Sequence, residues 1–151
     1  MYRLALVAAV LTLAGCSTTS SPENDAKRLE REAKLTYAND ARRGDEVKRI
    51  CFTSTIDGFS QNTERAVVLR DGTRDYLVTT RSRCNDLEDA FSLGISSFSS
   101  CLTRGDRLIG KDSVFGDNFD GRPSLSCRVD KIYEWDPKAD NPETTESSED
   151  A

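Results

Sequence analysis

Histidine is absent from this chain of 151 residues. That removes Ser-His-Asp and Cys-His catalysis, and every metal site that needs imidazole. Length is also short. There is room for one small domain with tails, and not for a large α/β enzyme. Positive charge is in deficit, with 21 Lys and Arg against 26 Asp and Glu, a net charge of −5. Phosphate backbones are held by clustered cations, so this balance argues against nucleic acid as a partner. No Cys-x-x-Cys pair occurs. A four-cysteine zinc site and a redox dithiol both lack their spacing, and no metal or other cofactor is expected. No internal repeat is visible.

Long hydrophobic runs are missing too. The longest, residues 4–14, has eleven apolar or small residues behind Arg3. A membrane span needs about 20. The run suits the apolar core of a signal peptide. It closes on Leu13-Ala14-Gly15-Cys16, which resembles the bacterial lipobox. Small residues at Ala14 and Gly15 admit the backbone to a peptidase cleft, and Cys16 offers the thiol that takes a diacylglyceryl group. The resemblance implies that residues 1–15 are a signal peptide removed before Cys16, whose new amino terminus is acylated, typically with palmitate. One acyl chain anchors marginally and several anchor stably. Ser17 follows, where lipoproteins retained at the inner membrane commonly carry Asp. The expectation is an outer-membrane lipoprotein facing the periplasm.

Residues 16–49 then read as a lipidated cysteine, a polar tether over 17–25 and a solvated helix over 26–43. Leu29, Ala33 and Tyr37 make an apolar stripe too thin for a buried helix. Lys27, Arg28, Arg31 and Lys34 offer contacts to anionic lipid, weakened by the interleaved Glu30 and Glu32. Residues 137–151 hold no apolar side chain larger than Ala. They cannot offset their ordering entropy and read as a disordered acidic tail.

Residues 50–136 carry the core of a mainly β domain. Strand patterns fall at 47–52, 65–70, 73–80, 107–110 and 124–135. Asp71-Gly72 between two of them is a hairpin signal. A short helix is expected over 85–93, capped by Asn85. In the last strand Leu125, Cys127, Val129, Tyr133 and Trp135 are placed on one face, and the polar opposite face, Ser126, Arg128, Asp130 and Glu134, is broken only by Ile132. The order β-β-β-α-β-β fits a small disulfide-stapled barrel or sandwich, with an OB-like order among the options.

With Cys16 lipidated, Cys51, Cys84, Cys101 and Cys127 remain. Export puts them where disulfides persist. Three connectivities exist. The favoured one joins the first and last strands through Cys51–Cys127, and closes the helix segment through Cys84–Cys101.

Five features offer chemistry. Asp117, Asn118 and Asp120 are oxygen donors in an acidic loop, but an EF-hand frame on Gly121 puts Gly116 and Cys127 at its first and last positions. They remain weak calcium candidates, better read as turn formers. Arg104-Gly105-Asp106 reads as a turn into a strand rather than an adhesion motif. Asp86, Glu88 and Asp89 favour a helix start; paired-carboxylate hydrolysis needs two groups facing across a cleft. Trp135, Tyr133 and Phe59 are core candidates before they are a binding patch. Residues 96–100, rich in Ser, lack any activating base and read as a loop.

Cys51-Phe52, Ile56-Asp57-Gly58-Phe59, the runs 66–70 and 76–78, Arg83-Cys84-Asn85-Asp86-Leu87 with Ala90, residues 101–106, and Cys127-Arg128-Val129 with Ile132 resemble one family. It comprises the uncharacterised proteobacterial lipoproteins and exported proteins grouped as domain of unknown function 6491. The resemblance covers about residues 48–135. It implies export and the domain limits, and transfers no catalytic residue. The chain is therefore expected to be a non-enzymatic envelope module bound to the membrane by lipid, with an envelope protein as its partner. A small carboxylate hydrolase and a calcium-dependent binding module are the alternatives.

Overall fold

The computed structural model describes residues 22–51, 53–111 and 126–139. Helix α1 (Pro22–Leu35) leads into strands β1 (Arg43–Val47) and β2 (Arg49–Cys51). After a 3-10 turn at Thr53–Thr55 come β3 (Ile56–Ser60), β4 (Ala66–Asp71) and β5 (Arg74–Thr80). Helix α2 (Asn85–Glu88) precedes β6 (Ser92–Ser96), β7 (Cys101–Thr103), β8 (Arg107–Lys111) and β9 (Ser126–Trp135). The protein is mainly β, a nearly closed barrel-like sheet.

The sheet runs β3-β4-β5-β9-β8-β6, with every pairing antiparallel. The long β9 organises it. One edge of β9 pairs with β5. The other edge pairs with β8 along its first half and with β1 along its second. Strands β2 and β7 form a separate ladder.

Strands β4 and β5 carry continuous apolar runs because both of their faces are covered. Val67, Leu69, Tyr76 and Val78 pack inward with Leu87, Leu102, Leu108 and Val129. Ala66, Val68 and Leu77 pack outward with Tyr133 and Trp135, under Tyr37. The hairpin between β4 and β5 forms where expected. Asp71 pairs with Arg74, so the two loop residues are Gly72 and Thr73. Gly72 takes φ 62°, the conformation that a tight hairpin asks of its first loop residue.

In β9 the expected single face is corrected. The register slips between Thr79 and Thr80, which oppose Lys131 and Val129, so Asp130 is an extra residue. This bulge turns the strand over. Cys127 and Val129 therefore share the inner cluster with Ile132, while Tyr133 and Trp135 sit in the outer one. Phe59 packs against the inner cluster, so the three aromatics form no common patch.

The cysteine pairing is corrected as well. The bridges are Cys51–Cys101 and Cys84–Cys127. The chain bends at Lys48, off the edge of β9, and β2 then pairs with β7. Cys51 lies directly opposite Cys101 in that ladder, their Cα atoms 3.9 Å apart. Cys127 instead faces the inner core beside Cys84, with Cα atoms 5.9 Å apart.

The helices also differ from expectation. Among the described residues helix α1 runs over Pro22–Leu35, and Arg43 already belongs to β1. The sheet thus begins inside the segment read as tether and helix. No residue of α1 is buried. Helix α2 stops at Glu88. Its N-cap is Cys84, without a side-chain cap bond, so Asn85 does not cap it. Residues Ser92–Ser96 beyond it form β6, where helix is expected to run on to Leu93. Helix α2 lies close on β8: a Cβ at Gly110 would come 2.6 Å from the Asp86 carbonyl oxygen.

Candidate functional site

Where the β4–β5 turn meets the ends of β1 and β9, the surface opens into a groove of about 670 Å³. Arg74 and Asp75 border it from β5, Glu134 and Trp135 from β9, and Asp136 and Lys138 from the segment beyond. Register explains the gathering. Asp75 lies opposite Trp135, and Tyr76 opposite Glu134. Gly44 keeps the β1 wall low. A Cβ there would stand 3.3 Å from the Glu134 Cβ and crowd the groove.

The walls are charged in both senses. Asp75 is largely buried, and its carboxylate accepts from Arg70 Nε at 3.1 Å. Asp136 accepts the backbone N–H of Lys138 at 2.9 Å. Glu134 is exposed. Arg74 is held more firmly protonated than usual, first by its side-chain hydrogen bond with Tyr76. Trp135 is only 4 % exposed, and its indole Nε1 is buried with no hydrogen-bond partner among the described residues. Three carboxylates against two cations suit a small ligand bearing amino or hydroxyl groups. Two of those carboxylates already have fixed partners, so the groove offers binding contacts in preference to an acid–base pair.

Behind the groove, Trp135 is wrapped by the turn after α1. The Tyr37 ring meets it edge-on with centroids 5.4 Å apart, and the Arg42 guanidinium lies 4.6 Å from its ring centroid. Asp40 fixes Arg42, accepting from Nε at 2.9 Å, from Nη2 at 2.6 Å and from its backbone N–H. That fork holds the Asp40 carboxyl below the usual carboxylate range. Arg43 lies 3.7 Å over the Tyr133 ring.

The candidates read from sequence fall elsewhere. Cys16 and the loop donors Asp117, Asn118 and Asp120 lie outside the described residues. Among the described residues no cluster of three or more metal-binding side chains occurs, and no helix is long and apolar enough to cross a membrane. Asp86, Glu88 and Asp89 belong to α2 and its end, away from the groove. Arg104-Gly105-Asp106 is a closed turn. Asp106 accepts from the Thr103 N–H at 2.7 Å and hydroxyl at 2.8 Å, which occupies the carboxylate that adhesion would need. The groove residues were not anticipated. Their one sequence signal is Glu134 set between two aromatics, next to the β9 end.

The family model of a family of unknown function, DUF6491, matches residues 1–151. The chain is a DUF6491 protein. The match extends beyond residues 48–135, where the resemblance was read, and takes in α1, β1 and both termini. Searches of curated proteins and of solved structures gave no match. For this DUF6491 protein, functional inference therefore rests on its own residues.

Proposed function

We propose that this DUF6491 protein is a non-catalytic binding or structural module of the bacterial envelope. Acyl chains on Cys16 hold it to the outer membrane, and its barrel faces the periplasm. The observation that carries this reading is the pair of disulfides, Cys51–Cys101 and Cys84–Cys127, in a small β domain. Such bridges persist in exported proteins and are rare in a reducing cytosol. The Leu13-Ala14-Gly15-Cys16 pattern supports the anchor. Binding is favoured over hydrolysis because Asp75 and Asp136 already have partners in the groove.

The test is fractionation of cells producing wild type and Cys16→Ser. Wild type should reach the outer-membrane fraction as a processed lipoprotein, with four cysteines resistant to alkylation. Cys16→Ser should remain an unprocessed precursor or become soluble. A variant that still fractionates as a processed membrane protein contradicts the anchor. Four freely alkylated cysteines in wild type contradict export.

A further inference from the structure

On the outer face of the barrel, away from the groove, one row of the sheet carries three arginines. Arg107 of β8 lies directly opposite Arg128 of β9, and Ser96 of β6 lies opposite Arg107. Arg81 follows on the far side of β9, its N–H donating to the Arg128 carbonyl at 2.9 Å. All four side chains are exposed. Neighbouring strands lie about 4.8 Å apart, so three guanidinium groups share one small surface. Like charges directly opposite one another destabilise a sheet. Among the described residues no carboxylate forms an ion pair with Arg81, Arg107 or Arg128. The nearby carboxylates are engaged elsewhere: Asp130 by Arg104 at 3.1 Å, and Asp106 by Thr103. A cluster of this kind stands out in a chain whose net charge is −5.

Two further features adjoin the row. The loop after Ser96 is tied by its own hydroxyls, with Ser97 donating to the Ser99 carbonyl at 2.6 Å and Ser99 accepting the Cys101 N–H at 3.2 Å. At its apex Phe98 is fully exposed, at 105 %. The arm of the chain also leaves from this region. Glu32 of α1 is bound to Arg65 at 2.7 Å and to Arg83 at 3.3 Å, while Arg65 also donates to the Thr80 carbonyl, next to Arg81. From Leu35 back to Glu32, α1 passes from Thr63 towards Arg83.

We propose that Arg81, Arg107 and Arg128 form a phosphate-recognising surface that docks the barrel on anionic phospholipid headgroups, with Phe98 entering the interface beside them. Guanidinium forks match phosphate oxygens, and an exposed aromatic at a loop tip is stabilised at the headgroup boundary. Lipid is favoured over soluble phosphate because this surface adjoins the arm leading to Cys16, so the inference rests in part on the anchor reading.

The test places a reporter at the tip. The full chain carrying Phe98→Trp is reconstituted into vesicles of phosphatidylcholine alone, or with phosphatidylglycerol added. The native Trp135 is buried and serves as a constant background. Emission from residue 98 should shift to the blue, and its acrylamide quenching should fall, with phosphatidylglycerol only. Arg107→Thr with Arg128→Thr should abolish the shift. Each cation near an anionic surface is worth about fivefold in binding, so loss of this pair weakens docking by about 25-fold. Both substitutions relieve a like-charge pair, and circular dichroism should show the fold unchanged. The same shift with phosphatidylcholine alone, or none with either lipid, overturns the proposal. So does a response of the arginine side-chain NMR signals to inorganic phosphate without any change at residue 98 on vesicles. Failure of the anchor reading registers separately, as unmodified Cys16 in the intact mass.

Discussion

The hydroxyl of Tyr37 donates to the carbonyl of Gln61 at 3.0 Å, and both residues hold left-handed backbones, each with φ 52°. They are the two non-glycine residues with positive φ among those described. At Tyr37 the conformation ends α1: the Ala38 N–H reaches back to the Ala33 carbonyl at 2.9 Å, and that of Tyr37 to Lys34 at 3.3 Å. Glycine is usual there, and a side chain costs about 1 kcal/mol or more. The ring stays because it seals Trp135 and ties the arm to the loop before β4. Tyr37→Phe should therefore lower stability by about 1 kcal/mol, and Tyr37→Ala by about 3 kcal/mol, read by denaturant melts.

Burial raises the Tyr37 phenol above its ordinary pKa, so the folded state holds the proton more tightly than the unfolded chain. Its contribution is complete below about pH 10 and fades as the pH rises past it. Stability curves of wild type and Tyr37→Phe should converge at strongly alkaline pH.

Asp40 runs the other way. Its hydrogen bonds with Arg42 lower its pKa, so its contribution is present above the ordinary carboxylate range and is lost as pH falls through the lowered value. Asp40→Asn should cost about 2 kcal/mol at neutral pH, because bonds to charged partners are lost and Arg42 is left over Trp135 without its anion. The deficit should shrink in acid. Thermal melts at pH 7 and pH 3 measure both effects.

The two bridges close loops of 50 and 43 residues. In the chain-entropy model each stabilises by about 4 kcal/mol. Peptide mapping without reduction should yield fragments joining Cys51 to Cys101 and Cys84 to Cys127. A Cys51–Cys127 fragment would contradict the β2–β7 ladder. Removing either bridge should lower the melting temperature strongly in a domain this small.

Gly110→Ala should destabilise by about 1–3 kcal/mol, since the added methyl meets the α2 backbone rather than a side chain that can turn aside. Gly72→Ala tests a different effect. Space is open around Gly72, and the cost there is the positive φ alone.

The strands with strong apolar signals were legible in the sequence: β4, β5, β8 and β9 were all expected, with the hairpin between the first two. Strands β1, β3, β6 and β7 were not. The first reads Arg-Gly-Asp-Glu-Val and gains its place by pairing with β9, not by its own pattern. Strand β3 likewise gains its place by pairing with β4. Strands β6 and β7 lie in Ser-rich sequence around the exposed Phe98, where local composition points to loop. Missing β7 led directly to the wrong disulfide pairing, because the partner of Cys51 is set by that ladder. The bulge at Asp130 was invisible for a similar reason: a period-2 pattern carries no mark of an extra residue until its partner strand is known. The groove was unread because its charges come from three separate segments that only the register of β5, β9 and β1 brings together.

The most direct measurement is the intact mass of the protein isolated from the bacterial cells that produce it. The account predicts a chain that begins at Cys16, heavier by a diacylglyceryl group and an amide-linked acyl chain. A chain that retains residues 1–15, or one that begins at Cys16 with a bare thiol, contradicts it.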